Sequence, residues 1–188
     1  DGMLSRDGKL IDFVGSRKKH KDNQVEPDSY EYDVEHEGHW GRDSGWLAEN
    51  LPDLLEDDAP EVAVVHLGSE VIVTGITAAA PLTDGIIGNI DRVVAALRAK
   101  DKNVKIVLAK IIPVLGKAEQ VELLNLKISE FGRAHSSTRS PIVVADLHSG
   151  FSVSEDLADG GVLPNPSGAK KMARALCDAI GKISGDVE

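Results

Sequence analysis

The sequence predicts an α/β protein, a three-layer α/β/α sandwich around a flavodoxin-like parallel sheet. Two observations carry this. Short runs rich in β-branched residues, bounded by turn signals, alternate along the chain with segments of helical period. The runs are apolar on successive residues, as strands covered on both faces must be. Strand alternating with helix implies βαβ units with right-handed crossovers and helices on both sides of the sheet.

The candidate strands lie at 10–14, 62–67, 104–112 and 142–145. Between them, Ile90, Val93, Val94 and Leu97 share one helical face, as do Val121, Leu124, Ile128 and Phe131, and then Met172, Ala173, Leu176 and Ile180. Spacings of three and four residues gather each set into one buried stripe. Met172, Leu176 and Cys177 are expected in the core. The highly charged stretch from Arg17 to Tyr32 reads as a solvated loop, and residues 1–9 and 184–188 as frayed ends. With no internal repeat, low-complexity linker or shift of composition, the 188 residues read as a single domain, 1–188.

Composition narrows the partners. A net charge of −10 repels phosphate backbones and anionic membrane surfaces, and 4% aromatic residues leave few platforms for stacking bases. Nucleic acid and membrane are therefore not expected, and a neutral or cationic ligand fits better. The single cysteine, Cys177, can form no intrachain disulfide and builds no cysteine-rich metal site. No stretch approaches the roughly 18 consecutive apolar residues of a membrane span, and the start, DGMLSRDGKL, lacks the basic and apolar regions of a signal peptide.

Ligands of such folds sit at the carboxyl ends of the strands. There the chain carries IDFVGS at 11–16, HEGHWG at 36–41, HLGSE at 66–70, KIIP at 110–113 and DGGVLPNPSG at 159–168. In order and approximate spacing these resemble the acetylxylan-esterase-like branch of the SGNH (GDSL) hydrolases, over nearly the whole chain from Ile11 onward. The resemblance implies a serine esterase that removes acetyl groups from polysaccharide, secreted, with a carbohydrate or small ester as ligand and no metal or organic cofactor. Such chemistry needs a serine on a GDS turn, a glycine N–H and an asparagine side chain for the oxyanion, and a D-x-x-H turn whose histidine takes the serine's proton.

By that resemblance Gly41 takes the glycine's oxyanion position, with the block anchored on Pro60. Glu70 stands where the family has asparagine, and a carboxylate there repels an oxyanion. Anchored on Pro164 and Asn165, the histidine position is Leu163. Asp159 stands one residue too far upstream because of an extra glycine. No GDS tripeptide occurs in the 188 residues. In flavodoxin-like order, 2-1-3-4-5, the first strand lies inside the sheet, and IDFVGS is the family's second. The expectation is therefore a four-stranded sheet with IDFVGS paired to the strand at 62–67, or a fragment of a longer product that supplies the first strand.

Trp40, His66 and Ser69 are candidate ligand contacts at the functional edge, with Trp46 a second indole that could stack on a sugar. Ser44 is expected to cap the helix from about Trp46, and His66 to be a core histidine. His148 and Ser149 are minor candidates after the last strand. His36 and His39 flank Glu37 at a spacing that lacks the helix of a zinc motif, so no metal site is expected. Glu70 and Asp159 could alternatively pair for acid and base work. Three readings follow: an esterase lacking its nucleophile segment, a catalytically inactive saccharide-binding relative or pseudoenzyme, and a truncated product without activity.

Overall fold

Runs dominated by valine, isoleucine and alanine pair side by side at the centre of the computed structural model, which describes residues 3–4, 10–17, 35–56, 59–75 and 78–185. These are β3 (Val62–Val65), β4 (Lys105–Ala109) and β5 (Ile142–Ala145), parallel and in that order. Val65 lies beside Leu108 and Leu108 beside Val144, so equivalent side chains stack across the sheet. The helices are α1 (Ser44–Leu54), α2 (Ser69–Thr74), α3 (Ala79–Lys100), α4 (Ala118–His135), α5 (Val153–Asp156) and α6 (Pro166–Ser184).

Because strand side chains alternate, β4 feeds two cores. Ile106 and Leu108 pack with the buried stripes of α1, α3 and α4, including Ile90, Val93, Val94, Leu97, Val121, Leu124, Ile128 and Phe131. Val107 and Ala109 face α6 on the other side with Ala145, Ala179 and Ile183. The α/β/α layering is as the sequence predicts. The phase of α6 is not: Ala179 and Ile183 are buried, Met172, Leu176 and Ile180 are half-buried, and Ala173 and Cys177 are exposed. Cys177 is thus a surface thiol and not core, because the single line along which α6 meets β4 and β5 runs one residue away from it.

The expected fourth strand is absent from this sheet. Leu10–Ile11 (β2) pairs antiparallel with Met3–Leu4 (β1), and residues 12–15 join no ladder. Among the described residues that run does not pair with β3, because β2 takes its backbone partners from β1 instead. The sheet of described residues is therefore three-stranded. The charged segment 18–34 and the ends at 5–9 and 186–188 lie outside the described residues.

Two polar clamps hold the loops. Asn125, buried on α4, accepts from Ile111 N–H and donates to Ile111 C=O, both at 2.9 Å, which fixes the chain leaving β4. Arg98 donates to Ser140 Oγ (2.9 Å), Ser140 C=O (2.9 Å) and His135 C=O (2.8 Å), joining the end of α3 to the α4–β5 turn.

Candidate active site

The HEGHWG block is anchored from below by residues 16 and 17. Arg17 and His36 exchange backbone bonds of 3.0 and 2.9 Å, and Ser16 donates its N–H and hydroxyl to Glu37, each at 2.8 Å. His39 Nε2 bonds the same carboxylate. Burial alone would raise the Glu37 carboxyl, but the bonds from Ser16 and His39 outweigh it and hold it below its ordinary value. Glu37 therefore bridges the two segments. His39 also rests on Trp46, ring centroids 4.7 Å apart, while Arg42 lies 5.1 Å over that indole. Trp46 is thus packed, whereas Trp40 stands 58% exposed next to Gly41. Gly41 has φ +70° with nothing within 4 Å of where a Cβ would be, so its backbone borders open space.

The helix that follows begins at Ser44, ahead of the expected start near Trp46, and is capped differently. Asp43 is the cap, accepting from Trp46 N–H at 2.8 Å. Ser44 is the first helical residue, 2% exposed, and accepts from Asn89 at 3.1 Å. Carboxylate at this position also opposes the positive helix end, which favours aspartate as the cap. Asp43, Ser44 and Asn89 line an open groove of about 340 Å³ with Val71, Leu82 and Ile86. This groove brings the start of α1 beside α2.

Gly68 starts α2 with φ +112°, and a Cβ there would lie 2.8 Å from Leu124 and 3.0 Å from Ile86. Only glycine allows both that backbone and that approach. Ser69 and Glu70 then fall in the first turn of α2, where the acidic side chain favours the helix terminus. Glu70 is exposed and, among the described residues, bonds no other side chain. His66 is not a core residue: it is exposed at the end of β3, although crowding by protein atoms pushes its imidazole below the ordinary value.

The turn that resembles the last catalytic block is fully closed. Leu157 and Pro164 form an antiparallel bridge, Ala158 N–H bonds Leu163 C=O at 2.8 Å, and Gly161 N–H bonds Ala158 C=O at 3.0 Å. Gly160 and Gly161, at φ +98° and +68°, absorb the additional residue as two consecutive left-handed positions. A Cβ on Gly161 would lie 2.5 Å from Leu115, whose N–H bonds Gly161 C=O at 3.0 Å, so this turn abuts the loop after β4. Asn165 caps α6 by accepting from Ser167 and Gly168 N–H. Asp159 is exposed and, among the described residues, bonds no side chain, and Leu163 is 45% exposed at the far end. Glu70 and Asp159 do not pair.

The carboxylate that organises the turn is Asp156, which the sequence reading passed over. It is fully buried and accepts from Lys171 Nζ (2.6 Å), Ser152 N–H (2.7 Å) and Ser167 Oγ (2.9 Å). The Lys171 ammonium above all, with the Ser152 amide, keeps its carboxyl below the ordinary value. Its partners on α6 stand one turn apart, Ser167 and Lys171, which was the available signal. After β5, Asp146 accepts from Lys110 Nζ (3.0 Å), His148 N–H (3.0 Å), Ser149 N–H (2.9 Å) and Ser149 Oγ (2.8 Å). His148 and Ser149 are thereby committed to the loop. No cluster of three or more metal-ligating side chains occurs among the described residues. No helix is long and apolar enough to cross a membrane.

This arrangement has close counterparts among solved structures. An acetyl esterase, crystallised as a serine-to-alanine mutant with an acetate ion, superposes with a TM-score of 0.80 at 29% identity, over 94% of this chain and 84% of that one. A carbohydrate esterase of family 3 from Talaromyces cellulolyticus gives the same values. The chain is a relative of the SGNH (GDSL) hydrolases. A GDSL-like lipase from Bacteroides thetaiotaomicron shares the fold more distantly, with a TM-score of 0.57 at 16% identity over 80% of this chain and 76% of that one. No protein-family model matches the sequence, and no curated protein does. Within this SGNH relative the resemblance read from the loop motifs and the three-layer fold are both upheld.

Proposed function

We propose that this SGNH relative binds a saccharide or small ester at the carboxyl edge of its sheet and hydrolyses acetyl esters slowly or not at all. The observation that carries the reading is the turn at 158–164. Every bond that shapes it is in place, yet its outer position holds Leu163, 45% exposed. A serine hydroxyl is too weak a nucleophile without a base, and leucine neither takes nor gives a proton. Asp159 is exposed and, among the described residues, orients no side chain. Glu70 sets negative charge where a donor to the oxyanion belongs, leaving the Gly41 N–H as the surviving element of that hole. Losing one member of such a triad already costs several orders of magnitude in rate.

Binding has better support than turnover. The indole of Trp40 offers an exposed apolar face beside Gly41, of the kind that sugar rings stack on. Ser69 and His66 follow β3 at the carboxyl edge of the sheet, and the neighbouring esterases act on or belong with carbohydrate and acetyl groups by name. The test pairs a chromogenic acetate ester and a serine-reactive fluorophosphonate with a titration of acetylated xylo-oligosaccharide followed by tryptophan fluorescence. A saturable fluorescence change without acetate release or labelling is expected. Labelling of any serine, or release at the rate of an active esterase, overturns the loss of catalysis. A flat titration overturns the binding.

A further inference from the structure

The groove of about 340 Å³ between the start of α1 and helix α3 is apolar at one end and polar at the other. On α3, Leu82, Ile86 and Asn89 follow at spacings of four and three and so share one face, with Gly85 among them. Val71 of α2 extends the apolar end, and both it and Leu82 pack against the core that contains Ile86. Opposite Asn89 stand Asp43 and Ser44. Asn89 Nδ2 donates to Ser44 Oγ at 3.1 Å, and a Cβ on Gly45 would lie 3.3 Å from the Asp43 carboxylate and 3.6 Å from the Asn89 amide. Three polar side chains therefore converge on one place. Their hydrogen bonds do not close. One Asp43 oxygen accepts from Trp46 N–H, and Ser44 accepts from Asn89, but among the described residues nothing accepts the Ser44 hydrogen and nothing donates to Asn89 Oδ1. Ser44 is 2% exposed, and a donor so buried is nearly always paired. Gly85 points the same way. In a helix interior glycine is the least favourable residue after proline, yet nothing lies within 4 Å of where its Cβ would be, so packing does not require it. A side chain there would narrow the groove.

We propose that this groove binds a small neutral alcohol with a compact apolar body, its hydroxyl accepting from Ser44 and donating to Asn89 Oδ1. A hydroxyl both gives and takes a hydrogen bond, which neither an ammonium nor a carboxylate does. An ammonium would leave the Ser44 donor unpaired. A carboxylate would meet Asp43 and the net charge of −10. A saccharide carries hydroxyls all round and would leave several of them unpaired against Val71, Leu82 and Ile86. Room is sufficient for a ring with a short hydroxylated arm, since an apolar cavity of about 150 Å³ already holds benzene. Apolar walls with a few convergent polar groups are also the general make-up of small-molecule sites. Trp40, His66 and Ser69 do not line this groove, so the inference goes beyond the saccharide reading and does not depend on it.

The test titrates benzyl alcohol into isotope-labelled protein and follows amide resonances by NMR, with toluene, benzylamine and benzoate as comparisons. Saturable shifts are expected at the Gly45, Val71 and Gly85 amides and at the Asn89 side-chain amide, with a Kd of about a millimolar, as suits a ligand of about eight non-hydrogen atoms. Toluene and the two ions should bind at least about fivefold more weakly, the scale of one net hydrogen bond. Ser44→Ala removes the donor at nearly constant volume and should bring benzyl alcohol down to the level of toluene. Gly85→Leu, a replacement that a helix interior favours, should raise the Kd of both by about tenfold, whereas Ala at the open Gly88, which does not line the groove, should change neither. Toluene or benzylamine binding as tightly as benzyl alcohol, an unchanged Kd in Ser44→Ala, or shifts confined to other elements would each overturn the proposal. A flat xylo-oligosaccharide titration would leave it standing.

Discussion

Replacing Asn125 by leucine isolates one contact that holds the loop after β4. The two side chains are nearly equal in volume, so the buried position stays filled while both hydrogen bonds to Ile111 disappear. Asn125 is 4% exposed and Ile111 0%, so water does not replace the lost partners. Leaving a buried N–H or C=O unsatisfied costs about 1–3 kcal/mol per group, and two groups are orphaned, for a total of about 3 kcal/mol after the gain from burying leucine. For a domain of this size that lowers the melting temperature by roughly 6–12 °C. Urea denaturation measures the energy, and hydrogen exchange at Ile111 N–H, newly fast, assigns it to this contact. A loss below about 0.5 kcal/mol, within the range of ordinary surface changes, would refute the reasoning. So would an unchanged Ile111 amide.

Gly68→Ala should destabilise by about 1–3 kcal/mol, the usual cost of a strained backbone, because φ is +112° and the new methyl meets Leu124. Thermal melts check it, and Ala in place of the open, helical Gly88 should have no such cost. Asp146 is held well below its ordinary value: burial alone would raise it, and the bonds from Ser149, Lys110 and His148 outweigh that. A depressed carboxyl contributes stability that is present above the unfolded value of about 3.9 and lost as pH falls through the folded value, so Asp146→Asn should lower the denaturation midpoint at neutral pH with a gap that closes in acid. Asp156→Asn should lower the melting temperature and speed exchange at Asn165 N–H, since the turn and α6 meet at that carboxylate; unchanged exchange there would show that Asp156 does not hold the turn. Trp40→Ala should weaken xylo-oligosaccharide binding by about tenfold, the scale of one stacking contact, read as a shift of the fluorescence titration midpoint.

How far the sequence could be read depended on the range of the interaction concerned. The interior of β4 was legible because a strand buried on both faces is apolar at every position, a local property, and β3 and β5 carry the same β-branched composition. The stripes of α3 and α4 were legible for the same reason, every residue of the two predicted sets being buried. The loop motifs were legible as a family pattern. The strand at 10–14 was not, because an apolar run becomes a strand only beside a partner. The cap of α1 passed from Ser44 to Asp43 for want of one residue of register.

By itself, then, the order of residues determined the layered architecture and the faces of the central helices. Tertiary structure alone decided that Cys177 is outside, that Asp156 rather than Asp159 is the carboxylate built into the turn, and that among the described residues β3 pairs only with β4. Periodicity reports how a segment divides its own surface between protein and water. It does not report which distant groups meet there: Asp156 finds Lys171 fifteen residues on, and Asn125 finds Ile111 fourteen residues back, only after the helices have closed on the sheet.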